Sequence, residues 1–367
     1  MPLDRRDFCA LLGAGLPASM IGSEAGREPS QPPDTPIRLD SNENPYGPSA
    51  AARAAFSRAL ADGGRYPSGQ ALTAAIATAV GGAESNVLVT VGATEALGIC
   101  AQTYTSPTAP LVTAAPTYAA IATATEALGH PVIRVPIAPD GGLDLERMAE
   151  RARGAGAVYL CNPNNPTGVL RPATAIGGFI ERVTAASRET VVVIGEAYHE
   201  YLDDPGYRSA VLEAINHPRV LVTRTFSKLY GLAGVRLGYL VGHADTIRRV
   251  AARRVPLGAN GPGMAAALAA LADEPERLRQ RRLNRAGREE AERFFRERGW
   301  RFHSAAANYL FIDVKREITA FRALCQARGL LIGRYYPPAD TWARLTIGSP
   351  AEMRRAYPIL DAVLGRA

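Results

Sequence analysis

Residues 223–228 read Thr-Arg-Thr-Phe-Ser-Lys, and residues 229–238 continue Leu-Tyr-Gly-Leu-Ala-Gly-Val-Arg-Leu-Gly. A lysine amine in such a place can attack an aldehyde as a nucleophile and, once freed, carry a proton. Alone, Lys228 reads better as a surface charge. A second segment, Val91-Gly92-Ala93-Thr94-Glu95, passes from an apolar run into a helical pattern. The backbone N–H groups of Gly92, Ala93 and Thr94 at such a helix start suit a phosphate, helped by the helix dipole. Thr94 also fits a plain N-cap or tight turn. Asn165 lies in Asn-Pro-Asn-Asn-Pro-Thr-Gly at 162–168, a string that also makes a simple turn. Cys9, Cys100, Cys161 and Cys325 show neither metal-ligand spacing nor a disulfide pattern, so no metal site is expected.

Seven short apolar runs must position these groups: Asn86–Val91, Pro110–Ala114, Val132–Val135, Ala157–Leu160, Thr190–Ile194, Val220–Val222 and Leu237–Val241. They are partly β-branched and lack polar alternation, which predicts strands buried on both faces of a mostly parallel sheet. The segments Ala71–Val80, Thr94–Tyr104, Tyr118–Leu128 and Leu143–Arg153 between them read as helices. This alternation predicts an α/β fold, with ligands gathering at the carboxyl ends of the strands. After residue 255 the texture changes. Gly263–Ala272 is Ala-rich and helical in character, and Glu274–Arg298 reads as a long charged helix stopped at Gly299. Short strands at Tyr309–Val314 and Arg344–Ile347 complete a smaller α+β domain. The expected division is 1–36 leader and tether, 37–50 N-terminal arm, 51–255 large domain and 256–367 small domain.

Taken together, the Ser227-Lys228 string with Arg236 resembles the cofactor-lysine motif of the class I/II aminotransferases, within them the histidinol-phosphate aminotransferase branch. Asn-Glu-Asn-Pro-Tyr-Gly-Pro at 42–48, Arg-Tyr-Pro at 65–67, the 162–168 string and Arg-Leu-Thr-Ile-Gly at 344–348 stand in the family's order. The resemblance spans residue 37 to the C-terminus. It implies fold type I of the pyridoxal-5'-phosphate (PLP) enzymes, with a mostly parallel seven-stranded sheet in the large domain. It implies PLP held by Lys228 as a Schiff base, with an amino acid and a 2-oxo acid as small-molecule substrates. Thr225, Ser227 and Arg236, with the turn at 92–94, are then the phosphate contacts. Tyr118 stacks on the pyridine ring, and Asn165 and Tyr198 hydrogen-bond its phenolic oxygen. Arg344 clamps the substrate carboxylate, Arg334 and Asn308 lie near the substrate, and Tyr46 belongs to the arm that closes over the site. Tyr66 resembles a tyrosine that reaches the phosphate from a neighbouring subunit, which implies a homodimer with shared sites.

One position departs from the pattern. The family has an Asp three residues before the tyrosine matched to Tyr198, where it pairs with the protonated pyridine nitrogen; here Gly195 stands there. Glycine cannot supply that charge. The next residue, Glu196, should face the other side of the strand unless a bulge re-aims it. A PLP racemase or lyase, or a non-catalytic PLP-binding relative, therefore stands beside the aminotransferase reading. Gly195→Asp is expected to raise the half-transamination rate.

The chain has 367 residues and a formal net charge of +7, and its basic residues follow no nucleic-acid-reading motif. No apolar run of about twenty residues occurs in the body of the chain, so no membrane span is expected there. Arg5-Arg6-Asp7-Phe8 followed by the apolar stretch Cys9–Gly22 resembles a twin-arginine export signal, with Ser23–Pro36 as a Pro-rich tether. The expected location is periplasmic or exported, and otherwise cytoplasmic.

Overall fold

The computed structural model describes residues 35–256, 258–303 and 305–365. The export-like segment and Cys9 lie outside the described residues. Strand β1 (Ile37–Leu39) comes first, and seven strands follow: β2 (Val87–Thr90), β3 (Leu111–Ala115), β4 (Val132–Pro136), β5 (Ala157–Cys161), β6 (Val191–Gly195), β7 (Val220–Thr225) and β8 (Gly238–Gly242). They correspond to the seven apolar runs. They form one sheet in the order β2-β8-β7-β6-β5-β3-β4. β8 pairs antiparallel with both β2 and β7, while the other pairs are parallel.

Every residue of β5, β6 and β7 is buried because both faces are covered. Alternate residues serve opposite cores. Val158, Leu160, Val192, Ile194 and Val222 pack on one face, whereas Ala157, Tyr159, Cys161, Val191, Val193 and Leu221 pack on the other. This period of two decides which side chains of β5 and β6 share a face with Gly195.

Strands β9 (Phe302–His303), β10 (Tyr309–Asp313) and β12 (Trp342–Thr346) form an antiparallel sheet, and β11 (Leu330–Ile332) pairs in parallel with β1. They share a second core with the helices Glu274–Glu297, Ile318–Gln326 and Pro350–Leu364. The helix Gly261–Ala272 places Met264, Ala266, Ala267 and Ala270 in the core of the large sheet, whereas Ala291, Phe294 and Phe295 belong to the second core. The change of core therefore falls inside the helix Glu274–Glu297, later than the change in composition at residue 255.

Several helix bounds differ by one or two residues from the sequence expectation, and two of these differences are instructive. The segment expected to begin at Leu143 begins at Leu145, because the Asp144 side chain caps it by accepting from the Arg147 N–H at 3.1 Å. The segment expected to begin at Tyr118 begins at Ala120. Tyr118 thus stays in the turn after β3, free of the helix, where its ring meets the cavity described next. Among the described residues no helix is long and apolar enough to cross a membrane.

Candidate active site

A cavity of about 870 Å³ opens where Cys161, Gly195 and Thr225, the last residues of β5, β6 and β7, meet the start of the helix Gly92–Tyr104. Arg322, Ile332, Arg334, Tyr336 and Arg344 line it from elements of the second core. Ala93, Thr94, Tyr118, Asn165, Tyr198, Thr225, Ser227, Lys228, Arg236, Arg334 and Arg344, all expected from the sequence, line the same space.

One end is built for an anion. The helix Gly92–Tyr104 has Val91 as its N-cap, which offers no side-chain cap to the first N–H groups. Thr94 is therefore not the cap; its hydroxyl instead lies 3.1 Å from the Tyr118 hydroxyl. Gly92 has φ 75°, and a Cβ there would sit 2.7 Å from Arg236 Nη2, so the guanidinium packs directly on the turn. Arg236 itself has φ 61°. Its Nη1 donates to the Ala233 carbonyl at 2.8 Å and to Ser227 Oγ at 3.3 Å. Thr225 Oγ1 accepts from the Ser227 N–H at 3.0 Å, which fixes the turn that carries Lys228.

Lys228 Nζ projects into the cavity, where it donates to the carbonyls of Ser41 (3.2 Å) and Asn42 (3.1 Å) and stands 5.9 Å from the Tyr198 ring centre. Desolvation lowers its pKa from 10.5 to about 7, with help from Arg344 and Arg236 against the opposing pull of Glu43. A substantial fraction of this amine is thus neutral, and nucleophilic, near neutral pH.

A buried network fixes the opposite wall. Asn42, at φ 52°, donates from Nδ2 to the Tyr198 hydroxyl at 2.9 Å and from its backbone N–H to Thr346 Oγ1 at 2.9 Å. Burial pushes the Tyr198 phenol up, against the opposing pull of Arg344 and the Asn42 hydrogen bond. Arg344 donates from Nη1 to Asn165 Oδ1 at 2.9 Å and from Nη2 to the Asp40 carbonyl. The first of these bonds leaves the donor end of the Asn165 amide for a ligand. The Nε of Arg344 is buried with no hydrogen-bond partner among the described residues.

Four expected residues lie outside the lining. Gly92 supports it from behind through Arg236. Asn308 donates to the carbonyls of Asn42 (3.1 Å) and Glu43 (3.3 Å), so it holds the segment that faces Lys228. The Tyr46 ring lies under Arg279, whose guanidinium carbon is 5.8 Å from the ring centre. Tyr66 is 87% exposed. Glu196, as strand alternation predicts, faces away: its Oε2 accepts from Arg224 Nε (3.0 Å) and Nη2 (2.9 Å) and from Ser209 Oγ (2.7 Å). Its Oε1 accepts the Ala210 N–H at 2.8 Å, so this carboxylate is committed to a buried ion pair. Sequence reasoning missed Arg322, Tyr336 and Tyr159 in the lining.

Comparison with known proteins gives this geometry a family. The family model for aminotransferase class I and II matches residues 34–360. A protein of Cupriavidus pinatubonensis named histidinol-phosphate aminotransferase 1 is 36% identical over 360 residues, covering 96% of this chain and 93% of that protein. A protein of Thermobifida fusca named aromatic amino acid aminotransferase is 33% identical over 345 residues, covering 91% of this chain and 93% of that protein. The crystal structure of histidinol-phosphate aminotransferase from Sinorhizobium meliloti, in complex with pyridoxal-5'-phosphate, superposes with a TM-score of 0.83 at 28% identity, covering 89% of this chain and 90% of that one.

Proposed function

Since the chain belongs to the class I and II aminotransferases, we propose that it moves an amino group between an amino acid, or an amine of the histidinol-phosphate kind, and a 2-oxo acid, with PLP held at Lys228. The observation that carries this reading is the Lys228 amine, drawn down to about 7 inside a cavity with an anion site at one end and a prepositioned arginine at the other.

The residues present fit PLP. The uncapped helix start, Ser227 and Arg236 match the charge and acceptors of a phosphate. The Asn165 amide and the Tyr198 hydroxyl suit a phenolic oxygen, and the Tyr118 ring offers a stacking face. Arg344 lines the cavity and brings the fixed, forked charge that suits a substrate carboxylate. When bound, the cofactor supplies an aldehyde and a conjugated ring that accepts electrons from the substrate Cα. Lys228 would hold the cofactor through its amine and, once released by a substrate amine, would serve as the base that takes the proton from the substrate Cα and as the acid that returns it. Arg344 fixes the substrate carboxylate at the second-core wall of the cavity.

Titration of the purified protein with PLP, followed by absorbance, tests this reading. A lysine-bound cofactor band is expected to form and then to convert to the pyridoxamine form with one amino donor. Histidinol phosphate and aromatic amino acids are the first donors to try, given the names of the relatives. A band that no amine converts would refute transamination, and a protein without any band would refute the role of Lys228.

Two further assignments belong to the same reading. The exposed Tyr66 is outside its own chain's cavity lining, which supports a homodimer in which it reaches the phosphate site of the other copy. A monomer at working concentration with full activity would remove that assignment. The N-terminal Arg5-Arg6 segment supports export by the twin-arginine route. Full-length protein confined to the cytosol would remove it.

A further inference from the structure

The position that departs from the family pattern is filled from a neighbouring strand. On β5, Cys161 lies opposite Gly195 and Tyr159 lies opposite Val193, so all four share one face of the sheet. A Cβ at residue 195 would lie 2.5 Å from the Tyr159 hydroxyl oxygen and 3.2 Å from two of its ring carbons. The hydroxyl therefore occupies the space in which an acidic side chain at 195 would begin. Tyr159 is only 2% exposed, yet it and Gly195 both line the cavity.

We propose that Tyr159 contacts the cofactor in place of the missing acidic residue, donating its hydroxyl hydrogen to an unprotonated ring nitrogen of PLP. This rests on the aminotransferase reading of the same cavity. The hydroxyl's protein neighbour is the Cys161 thiol, a weak hydrogen-bond partner that a ring nitrogen outcompetes. Burial first, then Cys161 and the neighbouring tyrosines, raises the phenol well above its ordinary value of 10.0. Tyr159 thus stays a neutral donor, and a neutral donor cannot hold a pyridinium as a carboxylate does. No other acid replaces it: the carboxylates among the described lining residues are Asp40 and Glu43, on the segment whose carbonyls face Lys228 Nζ. Glu196 is held by Arg224 and Ser209. The ring is then a weaker electron sink, and loss of the Cα proton is slower than with a protonated nitrogen. The expectation that Gly195→Asp alone raises the rate is corrected here, because its Cβ collides with the Tyr159 hydroxyl; acid at 195 requires a smaller residue at 159.

The test loads the protein with PLP isotopically labelled at the ring nitrogen and records the nitrogen resonance, a readout independent of turnover. In the parent protein an unprotonated, hydrogen-bonded nitrogen is expected. Tyr159→Phe should move the resonance to that of a nitrogen without a hydrogen bond and weaken PLP binding roughly 2- to 12-fold, the range for one neutral hydrogen bond. Gly195→Asp with Tyr159→Val should give a protonated nitrogen. A protonated nitrogen in the parent overturns the proposal whether or not the variants fold, as does a resonance unmoved by Tyr159→Phe. A parent that binds no PLP overturns the aminotransferase reading and this one together, whereas one that binds PLP at Lys228 with a protonated ring overturns the role of Tyr159 alone.

Discussion

Removing the charge of Lys228 should stabilise the cofactor-free protein, in a manner that depends on pH. Its amine is drawn from 10.5 to about 7 by desolvation, then by Arg344 and Arg236, with Glu43 opposing. The unfolded chain titrates near the ordinary value. Between these two pH values the unfolded state binds more protons than the native state, so stability rises with pH across that window. Below it both states are protonated and the native state carries the whole penalty. At about 1.36 kcal/mol per pH unit, the distance from 10.5 to about 7 is worth about 5 kcal/mol. Lys228 is partly exposed to the cavity, and water there reduces the penalty to roughly 2–4 kcal/mol. Lys228→Met keeps most of the apolar stem and removes the charge. Urea unfolding of both cofactor-free proteins, with equal m-values, should show the variant ahead by roughly 2–4 kcal/mol at about pH 6 and the gap closing towards about pH 10. A gap that does not change with pH, or a variant less stable at the acid end, refutes the argument.

Glu196→Ala should cost about 3–5 kcal/mol in equilibrium unfolding, because it strands the buried Arg224, whereas the double exchange Glu196→Leu with Arg224→Met should recover most of that loss. Burial pushes the Glu196 carboxyl up, but Arg224, His199, the Ala210 N–H and the Ser209 hydroxyl outweigh it and hold it below its usual 4.5. Its stabilisation is therefore present above the ordinary carboxylate range and is lost as pH falls through the lowered native value, which acid titration of the parent and the double variant should separate. Arg236→Gln should weaken PLP binding roughly 10- to 150-fold, the range for a charge-assisted hydrogen bond, while leaving the affinity for phosphate-free pyridoxal unchanged. Gly92→Ala places a Cβ 2.7 Å from Arg236 Nη2 at φ 75°, so thermal unfolding should show a loss of about 1–3 kcal/mol, with weaker cofactor binding beside it.

The large sheet was legible in the sequence because strands buried on both faces leave continuous apolar runs, and each of the seven runs became a strand. The antiparallel direction of β8 was not legible. Its run Leu237–Val241 is as apolar as its parallel neighbours, and direction depends on the connection, which here carries the Lys228 turn instead of a crossover helix. The helix Ala173–Ala186 was hidden by Gly177 and Gly178, although a Cβ at either would meet open space, so nothing in the fold demands glycine there. The cofactor-side residues were readable because they sit together in motif strings. Arg322 was not, since within Ile318–Gln326 it reads as one more charge on a helix, and only its tertiary position brings it to the cavity. Tyr159 reads as a core aromatic of a strand, and the missing side chain at 195, two residues beyond its own partner on the next strand, leaves the space that its hydroxyl fills.

The exchange at 195 and the charges of the cavity make one electrostatic arrangement. Lys228, Arg236, Arg322, Arg334 and Arg344 line it against the two carboxylates of Asp40 and Glu43. This excess of positive charge suits a cofactor phosphate and an anionic substrate, and it already lowers the Lys228 amine through Arg344 and Arg236. A pyridinium without a counter-ion would add another buried cation to that set and would be disfavoured for the same reason. Glu196 cannot supply the counter-ion, because turning it inward would leave Arg224 buried and unpaired. A neutral hydrogen bond from Tyr159 accommodates the ring without the extra charge. Restoring rapid Cα deprotonation thus requires two coupled changes, an acid at 195 and room for it at 159, and the pair should be strongly non-additive in a double-mutant cycle.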